Sequence, residues 1–67
     1  MAYRIRRAPE GRRELARYYA QASGRIHWTT FRDIAKAFDT EEIAAHMATR
    51  IIQNNGKLRN KVSVEPC

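Results

Sequence analysis

Arginines and aromatic rings interleave through the first half of this 67-residue chain: Arg4, Arg6, Arg7, Arg12, Arg13, Arg17, Tyr18, Tyr19, Arg25 and Trp28. Guanidinium groups hold carboxylates or phosphates in forked geometry. Aromatic rings stack on bases or anchor in protein pockets. The charge is as uneven as the composition. Residues 1–32 hold eight arginines against Glu10 and Glu14, a net +6, and residues 33–67 hold five bases and five acids. A field concentrated in this way attracts nucleic acid or an acidic protein face and speeds encounter with either. The candidate contact set is Arg4, Arg6, Arg7, Arg12, Arg13, Arg17, Tyr19, Arg25 and Trp28.

Catalysis has little to work with. His27 and His46 are the only histidines, Cys67 is the only cysteine, and these do not form a zinc-binding spacing. His46 falls on the polar side of a helix. Glu41 and Glu42 are accounted for by a helix start, and Glu10 and Glu14 by surface pairs within an arginine-dense stretch. There is no glycine-rich phosphate loop and no nucleophile beside a base. The reading is therefore a non-enzymatic protein with no catalytic residue, metal or cofactor. No apolar run approaches the ~20 residues of a membrane span. The segment "MAYRIRRAPEGRR" lacks the apolar stretch of a secretory signal. One cysteine gives no internal disulfide, which fits a reducing, cytoplasmic setting.

The elements that must position these residues follow from periodicity. "AYRIRR" alternates, placing Tyr3 and Ile5 on one side and Arg4 and Arg6 on the other, the period of a half-buried strand. "APEG" is turn chemistry. Residues 12–21 fit either a helix or a returning strand; Tyr18 and Tyr19 favour the strand, which would bring Arg17 beside Arg4 and Arg6. Tyr3 and one of Tyr18 or Tyr19 belong to the core, with Trp28 covering one end of the sheet. "RIHW" (25–28) is either a short extension of the sheet or a loop. Thr30 and Asp33 have capping-box spacing, which predicts a helical turn with Phe31, Ile34 and Ala35 inward.

"FDTEEIAAHMATRIIQNNG" is the strongest signal. With Asp39 as N-cap, Glu42 completes a capping box, and Phe38 and Ile43 occupy the two positions of a hydrophobic staple. Thr40 is the competing cap. Ile43, Ala44, Met47, Ala48 and Ile51 share one face, and Gly56 is a candidate for the left-handed stop. Val62 and Val64 then alternate in a last strand. The expected architecture is α+β in the order ββαβ, a single domain spanning 1–67. It has a three-stranded antiparallel sheet (about 2–7, 15–21 and 60–65), a short helical turn (about 30–36) and one main helix (about 40–53) on one face. A domain of this size buries only ~60% of the surface its unfolded chain exposes, so helix and sheet must each supply half of the core.

The stretch "WTTFRDIAKAFDTEEIA" resembles a pattern in small phage and prophage accessory proteins. In those, a Trp-Thr pair precedes A-x-x-F-x-T-x-E-x-A at the mouth of a helix, after an aromatic hairpin. The matching residues are Trp28, Thr29, Ala35, Phe38, Thr40, Glu42 and Ala44, and the likeness spans most of residues 3–52. Staple, cap and core positions explain every match. The resemblance implies a small adaptor or inhibitor of host machinery in the host cytoplasm, and small basic anti-CRISPR proteins are one such class. The expected partner is accordingly a host protein or ribonucleoprotein complex. Direct, sequence-independent binding of nucleic acid is the alternative, and the chain itself is a monomer or a homodimer. A helix-turn-helix fits poorly: Asp39 stands where the turn wants Gly, and residues 40–53 carry Arg50 as their only fixed cation.

Overall fold

A computed structural model describes residues 2–22 and 24–67. It contains β1 (Tyr3–Arg7), β2 (Arg17–Ala22), β3 (Arg25–Thr29), α1 (Glu41–Asn54) and β4 (Val62–Pro66), with short 3-10 turns at Arg32–Ile34 and Gly56–Leu58. The fold is α+β with one main helix on an antiparallel sheet, but the sheet has four strands, in the order β3-β2-β1-β4. The additional strand is "RIHWT". Gly24 adopts φ 76°, a left-handed conformation that a β-carbon disfavours, and so allows a tight return from β2 into β3. Tyr19 then pairs with Trp28, Ala20 with His27 and Gln21 with Ile26.

The sheet is split. β1 and β2 pair only at Arg6 with Tyr18 and Arg7 with Arg17. Beyond that point the segment 36–38 fills the gap. Tyr3 and Phe38 exchange both backbone hydrogen bonds, at 2.9 and 2.7 Å, and the Lys36 N–H donates to the Tyr19 carbonyl at 2.9 Å. The Tyr3 amide and carbonyl and the Tyr19 carbonyl, which face the gap, are thereby hydrogen-bonded, as burial favours. On its other side Tyr3 faces Pro66. A residue with no N–H is tolerated there because Tyr3 already spends its own polar groups on Phe38.

Phe38, held in this split, joins Ile5, Tyr19, Ala44 and Ala48 in the buried core, with Tyr3, Trp28, Met47, Ile51, Val62 and Val64 packed around it. The helix lies over β4 and β1. Its small residues Ala44 and Ala48 face inward, which lets the backbone sit close to Ile5 and the valines.

Several local expectations need correction. The N-cap is Thr40, whose hydroxyl accepts from the Ile43 N–H at 3.2 Å. Such a cap stabilises a helix by about 1 kcal/mol. The Asp39 frame is not used, and Ile43 stands 50% exposed rather than stapled to Phe38. Gly56 opens a 3-10 turn, and Asn55, in extended conformation, ends the helix by donating to the carbonyls of Ile51 and Ile52. Thr30 caps nothing; Phe31 precedes the 3-10 turn, and its N–H donates to the Thr29 hydroxyl. Phe31 and Ile34, three apart across a three-residue turn, share one side of it, and that side faces solvent rather than the core.

Replacing Phe38 with Ala should cost about 3–5 kcal/mol, the usual penalty for deleting a buried aromatic ring. The loss should appear as a large fall in the melting temperature measured by circular dichroism. A variant that melts with the parent would show that Phe38 does not hold the split together.

Candidate functional site

The β1 alternation puts Arg4 and Arg6 on the face away from the helix, but that face is not bare. The Arg4 Nε donates to Glu65 Oε1 at 2.6 Å, across from its pairing partner on β4. The Arg4 guanidinium also sits 5.1 Å from the centre of the Tyr18 ring. Hydrogen bonding to Glu65, opposed by desolvation and reinforced by that carboxylate's charge, raises the Arg4 pKa above its ordinary value. Arg32 covers Tyr18 from the other side, its Nε donating to the Tyr18 hydroxyl at 3.1 Å. Tyr18 is consequently buried on the outer face while Tyr19 is buried on the inner one, so both tyrosines are core residues. Arg6 is half-buried between Ser63 and Tyr18.

Arg17 does not join Arg4 and Arg6. Its register partner is Arg7, so both belong to the helix side of the sheet, with Tyr19. The Arg7 guanidinium lies 5.6 Å from the Trp28 ring centre, and its Nη2 donates to Glu10 Oε1 at 2.9 Å. Lys61 approaches the same carboxylate at 3.6 Å. Trp28 packs edge-on against Tyr19 with ring centres 6.2 Å apart. Arg25 is exposed at the start of β3, and Arg12 and Arg13 are exposed in the β1–β2 connection. The nine candidate residues therefore divide. Arg7, Arg17, Tyr19 and Trp28 are on the helix side, Arg4, Arg6 and Arg25 on the outer face, and Arg12 and Arg13 on the connecting loop.

Tyr19 and Trp28, but not Arg7 or Arg17, line a groove that sequence reasoning missed. Because α1 leans over β4 and β1, the β2–β3 half of the sheet is left partly uncovered. A cleft of about 350 Å³ opens there, lined by Tyr19, Gln21, Ile26 and Trp28 from the sheet and Met47, Arg50, Ile51 and Asn54 from the helix. Tyr19 is fully buried, so it forms the floor rather than a contact. Ile26, 62% exposed, and half-buried Trp28 form the outer wall. The alternation of Ile26 and Trp28 in "RIHW" was the available signal. The lining contains one fixed cation, Arg50, and no acid.

A second hollow, about 70 Å³, lies between Arg7, Pro9, Glu10, Leu15 and Arg17, room for water rather than a metabolite. Among the described residues no three His, Cys, Asp or Glu side chains are grouped to hold a metal ion. Nor, among the described residues, is any helix long and apolar enough to cross a membrane. No family model matches the chain, and neither the curated proteins nor the solved structures contain a significant match to it.

The Glu10 carboxyl is held below the usual carboxylate range, first by its hydrogen bond from Arg7 and then by the charges of Lys61 and Arg7. A group whose pKa is depressed on folding stabilises the native state above its unfolded pKa, and that contribution is lost as pH falls through the folded value. Glu10 is fully exposed, so the effect is small. Glu10→Gln should lower the denaturation midpoint slightly at neutral pH, and the difference from the parent should vanish in acid. A difference that persists with Glu10 protonated would assign the loss to packing instead.

Proposed function

We propose that this chain is a small non-enzymatic docking module that binds a host protein or ribonucleoprotein complex through its arginine-rich N-terminal half. Inhibition of a host defence complex, as by anti-CRISPR proteins, is its most concrete form. That form rests on the resemblance carried by Trp28, Thr29, Ala35, Phe38, Thr40, Glu42 and Ala44. One observation carries the preference for a protein partner. Arg50 lines an apolar groove and Arg7 lies against its Trp28 wall, while the tyrosines that would stack on bases lie in the core. A groove with an aromatic wall and arginines at its margin has the composition of a protein hot spot. Stacking on single strands needs ring faces open to solvent.

Direct binding of nucleic acid is the second reading, favoured by the exposed cations Arg12, Arg13, Arg17 and Arg25. Phosphate contacts release counterions, so such binding weakens steeply with salt.

The test sets the parent beside an Arg7/Arg17/Arg25→Ala variant. Labelled DNA and RNA are titrated across a salt series, and immobilised protein is challenged with host extract. The expected outcome is weak nucleic-acid binding together with a stoichiometric complex that survives moderate salt and is lost in the variant. Tight binding to DNA or RNA that falls steeply with salt, and no such complex, would contradict the proposal.

A further inference from the structure

The edge of the sheet beside the groove is unpaired, and the hydrogen-bond pattern says which groups it offers. The Tyr19 carbonyl points toward β1, where it accepts from Lys36. In an antiparallel ladder the direction of backbone groups alternates along each strand. Tyr18 and Ala20 therefore point toward β3, and their partners Thr29 and His27 point back. Ile26 and Trp28 must then direct their N–H and C=O groups outward, away from the sheet. Among the described residues none bonds to them. The side chains of the same two residues form the outer wall of the groove. Backbone ladder and apolar wall thus coincide on Ile26 and Trp28, while Arg25 and His27 occupy the alternate positions on the outer face.

We infer that β3 accepts an extended segment of an acidic partner protein as a fifth strand, a segment that alternates apolar and acidic residues. Residues of that segment opposite Ile26 and Trp28 exchange backbone hydrogen bonds with them and place apolar side chains at the mouth of the groove. Residues opposite Arg25 and His27 carry the carboxylates. Main-chain bonds supply affinity and alternate side chains supply specificity in this mode of recognition. Charge selects the occupant. A second copy pairing antiparallel through β3 about His27 would set His27 against His27 and bring together two chains of net +6. Two chains with so large a net positive charge repel each other as they approach. An acidic strand meets Arg25 on β3 and Arg50 at the groove instead.

This inference rests on the docking reading and adds its geometry. Trp28 is the only tryptophan, so its emission reports on the groove directly. The parent is titrated with an acetylated, amidated peptide alternating Glu and Val, long enough to span the five residues of β3. The controls are a peptide of the same composition with its Val and Glu in two blocks, and the alternating peptide with every second amide N-methylated. The expected result is a saturable shift in Trp28 emission with the alternating peptide, weakened about fivefold or more in each control. Ile26→Pro removes an outward N–H without touching the bonds to β2, a substitution an edge strand accepts. It should weaken binding well beyond Ile26→Ala. If Ile26→Pro fails to fold, the N-methylated peptide makes the same test on the parent.

Equal binding of all three peptides would reduce the interaction to charge and overturn the inference. So would absence of binding, or dimerisation that alters Trp28 emission and resists the peptide. If the alternating peptide fails while the arginine variant still loses its complex from extract, docking stands and the strand-addition geometry falls.

Discussion

The backbone bonds that Tyr3 and Phe38 exchange, with the bond from Lys36 to Tyr19 beside them, are the constraint on which the rest of the molecule depends. They let β1 and β2 separate while the Tyr3 groups and the Tyr19 carbonyl stay bonded. They also anchor the chain directly before α1, so the helix must start at Thr40 and run across β4 and β1. A helix fixed over that half cannot cover β2 and β3. The groove and the exposed margin of β3 are thus products of the same backbone bonds that place Phe38 in the core.

The arginines show how a common residue type is divided among tasks by strand parity. Arg4 and Arg32 close over Tyr18, so their charge is spent on an ion pair, a hydrogen bond and ring contacts. Those contacts bury an aromatic on the face that the helix never reaches, which gives a very small domain a second apolar layer. Arg7 is held by Glu10 beside Trp28, while Arg17, its partner on β2, makes no ion pair among the described residues. Positive charge that began as a property of the first half of the chain ends divided between the two faces of the sheet and the loop between β1 and β2.

The helix was legible because its signals are local. Two acids follow a Thr or Asp cap, and Ala44, Met47, Ala48 and Ile51 recur at helical spacing. The strand character of β1 was legible in the alternation of Tyr3 and Ile5 with Arg4 and Arg6. What escaped depended on distant partners. "RIHWT" shows only the alternation of Ile26 and Trp28, and becomes a strand because Gly24 returns it onto β2. The face of Arg17 was set by its pairing with Arg7, which no periodicity within residues 12–21 could give. Gly56 offered a left-handed stop, but Asn55 satisfied the last carbonyls first. The groove was invisible for the same reason as the split: both follow from where residues 36–38 insert, and that is a tertiary fact.

Amide hydrogen exchange resolved by residue would test the central claim most directly, because the claim is about which backbone groups are bonded. The split sheet predicts strong protection of Tyr3, Lys36 and Phe38, approaching that of the core, together with fast exchange at Ile26 and Trp28 between protected neighbours. Fast exchange at Lys36 and Phe38, with slow exchange at Ile26 and Trp28, would contradict it. That pattern would mean an unsplit sheet with β3 already covered.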